Sequence, residues 1–144
     1  MNSLEKLKPL GLLLLRWGLG VIFIYHGYPK LIHTREFMEQ VVRIGFPSFF
    51  AYIVGVLEFF GGALLIVGLF TRVAGLLLAF EMLIAIWKVN LPQGGIYTVE
   101  KYQFPLAVGV GAFALAAVGA GLISLDHVFF REGGTFSRGK RKER

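Results

Sequence analysis

Four long apolar blocks confine this chain to a membrane fold. A helix that crosses the hydrocarbon core, about 30 Å thick, needs roughly 20 apolar residues at about 1.5 Å of rise each. Stretches 10–28, 49–70, 73–89 and 104–125 approach or reach that length and carry few ionisable residues. Lipid offers the backbone no hydrogen-bond partner, so such segments must be helices. The expected fold class is all-α, an integral membrane antiparallel four-helix bundle. An apolar content of 56% alone would not exclude a soluble domain; its segregation into blocks does. The chain divides into a four-span domain over 1–130 and a Gly-rich, basic, disordered tail over 131–144. The first block does not read as a cleaved signal, because it is long, Arg16 interrupts it and no small-residue cleavage site follows.

The net charge of +6 is laid out as topology, which argues against a nucleic-acid partner. Lys6, Lys8, Arg72 and six basic residues of the tail fall on one side of the expected membrane, nine in all. Lys30, Arg35, Arg43, Lys88 and Lys101, five residues, fall on the other. The excess places both termini in the cytoplasm. In the first outer loop, Phe37, Val41 and Ile44 recur at helical spacing among Glu36, Glu39, Gln40 and Arg43. That pattern predicts a short interfacial helix, with Thr34 as its cap and Gly45 and Pro47 ending it. The second outer loop, 91–103, reads as an ordered turn anchored by Tyr97 and Tyr102. Small residues four apart (Ala51 and Gly55, Gly75 and Ala79, Ala112, Ala116 and Ala120) allow helix backbones to approach closely in lipid.

Function should show at the ionisable residues held at membrane depth, since one near the bilayer centre costs about 2.5–3.5 kcal/mol. Counted from the cytoplasmic ends of the spans, Arg16 lies roughly 9 Å in, Glu81 roughly 12 Å and Glu58 roughly 18 Å. His26 and Lys88 lie roughly 23–24 Å in, and Lys30 stands at the outer edge. Arg16 and Glu81 are matched in depth well enough to form a structural ion pair between the first and third spans. Glu58, His26 and Lys88, with Tyr25 and Trp87 beside them, could converge in the outer half. An acid, an imidazole and aromatic rings suit a quinone headgroup, whose carbonyl oxygens accept hydrogen bonds and whose reduction consumes protons. Against this stand two plainer readings: Lys88 snorkels to the surface, and Trp87 belongs to the aromatic belt. Glu58, mid-span, has no such escape.

Other chemistry is disfavoured. The chain has no cysteine, which removes iron–sulfur clusters, zinc thiolates and thiol nucleophiles. The three histidines, His26, His33 and His127, are spread over both faces, which speaks against a haem bridged across core helices. No ligand spacing supports a metal site, and no Ser–His–Asp grouping or phosphate loop is present.

The chain resembles the DoxX family of small bacterial membrane proteins. The likeness rests on RWGLGVIFIYHGYPKL from Arg16 to Leu31, with Gly27 and Lys30 in a Gly–x–x–Lys pattern; on EFFGGALLIVGLFTR from Glu58 to Arg72; and on GAGLISLD from Gly119 to Asp126. It covers nearly the whole chain in order, the basic tail excepted. The resemblance implies a four-helix protein of the bacterial plasma membrane, with some relatives tied to quinone-linked oxidation. The first functional reading is therefore a membrane subunit of a quinone-linked redox complex, whose partner subunits supply the redox centre. The alternative is a structural or assembly subunit without chemistry, its tail gripping a partner or anionic lipid. A small oligomeric carrier ranks third, since four spans are few and no inverted repeat is evident. Membrane lipid is an expected contact in every case, and homo-oligomers are compatible with each.

Overall fold

The structure, a computed structural model, describes residues 2–93 and 99–131. The expected disordered tail and the middle of the second outer loop lie outside the described residues. Among the described residues every regular element is helical. A single turn, α1 (Asn2–Glu5), precedes α2 (Lys8–Ile32), the first span. Then come α3 (Thr34–Ile44), α4 (Phe50–Val67) and α5 (Thr71–Ala85), the last prolonged by a π-helical turn at Ile86–Asn90 and a 3-10 turn at Leu91–Gln93. α6 (Val99–Val118) is the fourth span, and α7 (Leu125–Arg131) follows a short loop. Four helices are long and apolar enough to cross a membrane, counting α5 with its π turn as one.

The polarity is inverted relative to a soluble bundle. Leu14, Val21, Phe80, Val110 and Phe113 are exposed on the surface, where lipid replaces water. Arg16 and Glu58, by contrast, are 1% and 3% exposed and share the interior with Leu19, Phe23, Leu65, Leu78 and Leu115. Without a hydrophobic drive between helices, close packing must hold such an interior together. α2 meets α4 where a Cβ on Gly20 would fall 2.7 Å from the Gly62 carbonyl oxygen, and one on Gly62 would fall 2.7 Å from that of Gly20. About two turns further along α2, a Cβ on Gly27 would lie 2.5 Å from the Phe59 nitrogen. α5 meets α6 similarly, with Gly75 against Ala112 and Ala116. The small-residue reading of Gly75, Ala112 and Ala116 therefore corresponds to a real contact, and Gly55 meets Leu31 and Lys30 of α2, while Gly20, Gly27 and Gly62 of the same α2–α4 seam fall outside the four-residue spacing.

Two boundaries differ from the sequence expectation. The fourth span runs five residues earlier and stops at Val118 rather than at 125, because Gly119 turns the chain with φ 90°. The apolar run after it is a return loop, which hydropathy does not distinguish from a span. The second difference concerns α3. It forms as expected and Gly45 ends it in the left-handed region, but His33 holds the cap position. The Thr34 hydroxyl donates instead to the Leu31 carbonyl oxygen at 2.7 Å, so it ties α3 to the end of α2.

Candidate functional site

The depth of each charged group follows from the α4–α5 hairpin. α4 ends at Gly68 and α5 starts at Thr71, so Glu58 and Glu81 each sit ten residues, or about 15 Å, from the turn. The two glutamates are therefore level, and their carboxyl groups act on each other across the α4–α5 interface. Lys30 on α2 completes the cluster, its Nζ donating to Glu58 Oε2 at 2.6 Å. The geometry explains the Gly–x–x–Lys spacing. Gly27 lets α2 press against the α4 backbone at Glu58 and Phe59. Lys30, nearly one turn further on, points back toward the helix N-terminus as helical side chains do, and so reaches the carboxylate. The Lys30 side chain is 24% exposed against 3% for Glu58, and its ammonium also stands 5.0 Å from the Phe37 ring of α3. Glu81 Oε2 is buried without a hydrogen-bond partner among the described residues.

The remaining candidates do not converge on Glu58. His26 is exposed; its Nδ1 lies 2.8 Å from the Ile22 carbonyl oxygen, which can only accept, so Nδ1 carries the proton. Its ring packs against Tyr25 and against Phe104 of α6, with centroids 5.6 and 5.3 Å away. That places His26 at the α2–α6 seam, with Tyr25 exposed beside it on the bundle surface. Lys88 and Trp87 belong to the π turn and are exposed, the ammonium 4.3 Å from its neighbour's ring. This is how a long cationic side chain satisfies itself near an interface.

The expected Arg16–Glu81 pair is not formed. The sequence count placed the turn at 70–73 and the start of the first span at 10, which made the two depths look alike. In the structure Arg16 is level with the hairpin turn itself, about 15 Å from Glu81 along the bundle. Its guanidinium donates to the Ile123 carbonyl oxygen, packs on Gly68, and lies within the field of Asp126. Asp126 in turn accepts from the backbone N–H groups of Phe70 at 2.7 Å and Thr71 at 2.9 Å, and its own N–H donates to the Gly68 carbonyl oxygen at 2.9 Å. Arg72 reaches the last carbonyls of α6, donating to Ala117 at 2.9 Å. The GAGLISLD segment is thus the piece that returns after α6 and locks α2, α4 and α5 at one face.

Gly68 makes this lock possible. Its φ of 73° disfavours any side chain, and a Cβ there would fall 1.7 Å from Arg16 Nη1 and 2.6 Å from Ser124 Cβ. Gly68→Ala should therefore cost more than the about 1–2 kcal/mol of the left-handed backbone alone, read as a lowered midpoint of thermal unfolding in detergent. A loss confined to about 1–2 kcal/mol would show that the guanidinium is free to move aside.

Among the described residues no group of three or more His, Cys, Asp and Glu side chains is arranged to hold a metal ion. The chemistry within reach of the Lys30–Glu58–Glu81 cluster is that of charge compensation and proton binding: one ammonium, two carboxyl groups and a low-dielectric surround.

The DoxX family profile matches residues 11–91, which include all three members of this cluster. Among curated relatives, "Putative oxidoreductase CatD" of Bacillus subtilis is 33% identical over 89% of this chain and 93% of its own length. "Inner membrane protein YqjF" of Escherichia coli is 31% identical over 87% of this chain and 96% of its own length. "Uncharacterized membrane protein Rv3486" of Mycobacterium tuberculosis is 31% identical over 82% of this chain and 80% of its own length. No solved structure matches. With the four apolar helices, these relatives locate the chain in a bacterial membrane.

Proposed function

This chain belongs to the DoxX family, and from that premise we propose that it is the membrane subunit of a quinone-linked redox complex, with the Lys30–Glu58–Glu81 cluster facing the quinone headgroup. The observation that carries the reading is the 2.6 Å Lys30–Glu58 pair with Glu81 beside it, about 15 Å from the hairpin turn. Buried charges of this kind are costly to insert and mark sites of binding or proton transfer in membranes. The oxidoreductase in CatD's name adds support by kinship.

The residues fit a headgroup in their donor and acceptor chemistry. Lys30 has spare N–H donors beyond its bond to Glu58, and the partly exposed ammonium is the member a lipid-borne ligand would meet first. Glu81 Oε2 has a lone pair without a partner among the described residues. His26, with Nδ1–H committed to the backbone, presents Nε2 as an acceptor at the α2–α6 seam, between Tyr25 and Phe104. Lys88 and Trp87 serve this reading only as anchors at the interface. Bound there, a quinone would take two electrons from a partner's redox centre and two protons, giving the quinol. The chain's own part is to orient the headgroup and hold protons near its oxygens. We further assign both termini to the cytoplasm from the lysine and arginine asymmetry, which sets the two glutamates near the middle of the bundle with the Lys30 backbone on their outer side.

The test is photolabelling in native bacterial membranes with an azido-quinone, followed by peptide mapping. Labelling is expected on the peptides around Lys30 and Glu81, suppressed by excess unlabelled quinone. Lys30→Met should weaken it about tenfold or more, the worth of one charge-assisted hydrogen bond. Labelling elsewhere, or labelling indifferent to Lys30, would overturn the site and favour a structural or assembly subunit.

A further inference from the structure

We propose that Glu58 and Glu81 share one exchangeable proton across the α4–α5 interface, so that the cluster is a built-in proton-binding site. The inference deepens the reading above, because a redox carrier that takes up protons would find one here, yet it stands on the cluster's own geometry.

Ionised carboxylates have acceptor atoms only, and here Glu81 Oε2 is buried without a hydrogen-bond partner among the described residues, level with a Glu58 that is 3% exposed; a proton held between the two acids supplies the missing donor. The charge balance points the same way. Each element packed around the pair can be inspected for compensation. α2 supplies Lys30, bound to Glu58. The other charged groups that act on Glu81 are Glu58 and that same Lys30. α3 turns Phe37, not a charge, toward the ammonium. α6 turns Phe104 toward His26, whose Nδ1–H is already bound to Ile22. Arg16 is about 15 Å away in depth and is engaged by Ile123 and Asp126. One ammonium therefore faces two acids in a low-dielectric surround, and an uncompensated second carboxylate there is strongly disfavoured. A single shared proton makes the cluster neutral: one ammonium, one carboxylate and one carboxylic acid. Releasing that proton leaves two carboxylates against one ammonium, a net charge of −1, and rebinding restores neutrality.

The pair's placement makes the proton's site specific. Glu58 and Glu81 lie on two helices joined by a three-residue turn, each ten residues from that turn, so their registers are fixed relative to one another. Lys30, bridging from α2, is 24% exposed at its side chain against 3% for Glu58.

The experiment is infrared spectroscopy of the purified full chain, stripped of quinone by detergent exchange and reconstituted in phosphatidylcholine bilayers. At neutral pH the parent protein should show a protonated-carboxyl C=O band that shifts in D2O. Glu58→Gln and Glu81→Gln should each abolish it, since either substitution leaves one acid facing one ammonium. Absence of the band in the parent protein would overturn the proposal. So would its survival at full amplitude in Glu58→Gln, which would mean that Glu81 is neutral by itself and nothing is shared. Should either variant fail to insert, the parent protein carrying 13C-labelled glutamate decides alone by solid-state magnetic resonance. One acid and one carboxylate carbon in mutual contact are expected, and two carboxylates without contact would overturn sharing. Because no quinone is present, a failure here is distinguishable from a failure of the photolabelling.

Discussion

Lys30→Met should destabilise the bundle by about 3–5 kcal/mol, the usual cost of removing one partner of a buried ion pair. The reason lies less in the lost attraction than in what is left behind. Glu58 is 3% exposed, sits mid-span, and has no path along its own side chain to water. Without the ammonium at 2.6 Å, two carboxyl groups face each other with no counter-charge. Met keeps most of the apolar stem of Lys, so loss of packing is a minor contribution. The double variant Lys30→Met/Glu58→Gln should recover much of the loss, because a pair of uncharged groups of similar shape removes the uncompensated charge. Denaturation in mixed micelles, followed by helical circular dichroism, reads all members of the cycle. A coupling energy of about 0.5–3 kcal/mol is expected for residues in direct contact. A single variant within about 0.5 kcal/mol of the parent would mean that Lys30 behaves as an ordinary surface residue. The stability loss and the loss of quinone labelling are separable, since the double variant should restore the first and not the second.

The four spans were legible in the sequence because lipid makes length and apolarity decisive, and the amphipathic α3 was legible by its period. What remained out of reach was register. Hydropathy could not tell the return loop at 119–124 from the end of a span, because both are apolar. That error mattered little for the fold and much for the site. It hid Asp126 at the α5 start and so left Glu81 as the apparent partner of Arg16. A second error arose at the hairpin. Setting the turn at 70–73 put Glu58 and Glu81 about 6 Å apart in depth, whereas the turn at Gly68–Phe70 makes them level. The signal was present: both glutamates are equally far from the Gly68-Leu69-Phe70 turn, and in a tight hairpin equal distance means equal depth. Glu58 was singled out correctly as the residue with no escape from membrane depth. Its partner is not visible by position, since Lys30 stands at the outer edge of its helix and only its long side chain reaches inward. The convergence of His26, Lys88, Tyr25 and Trp87 on Glu58 failed because depth alone says nothing about azimuth. His26 faces α6, and the π turn carries Trp87 and Lys88 out to the surface.

Asp126→Ala should be the second large effect, at about 3 kcal/mol, with Asp126→Asn costing about half as much. Three losses combine in the alanine variant. The first is a helix cap, in which the carboxylate accepts from Phe70 and Thr71 at the start of α5, worth about 0.5–2 kcal/mol. The second is a negative charge at a helix N-terminus, worth about 0.3–1 kcal/mol. The third is the field Asp126 exerts on Arg16, which is 1% exposed and has one hydrogen bond, to Ile123, among the described residues. Asn keeps one acceptor oxygen and loses the charge. Thermal unfolding of the two variants, with and without Arg16→Met, separates these terms. If relief of an uncompensated Arg16 matters, Arg16→Met should cost less in the Asp126→Ala background than in the parent; equal costs in both would leave only the cap. The cap also acts at a distance. Phe70 is held at φ 49°, a conformation that costs a non-glycine residue about 1–2 kcal/mol and that its N–H bond to Asp126 helps to pin. Freeing it lets the first turn of α5 rewind. Each residue of slippage there moves Glu81 by about 1.5 Å along the bundle and about 100° around its helix. The carboxyl pair needs Glu81 level with Glu58, so Asp126→Ala should also weaken the shared-proton band in the infrared, although the two sites lie about 15 Å apart.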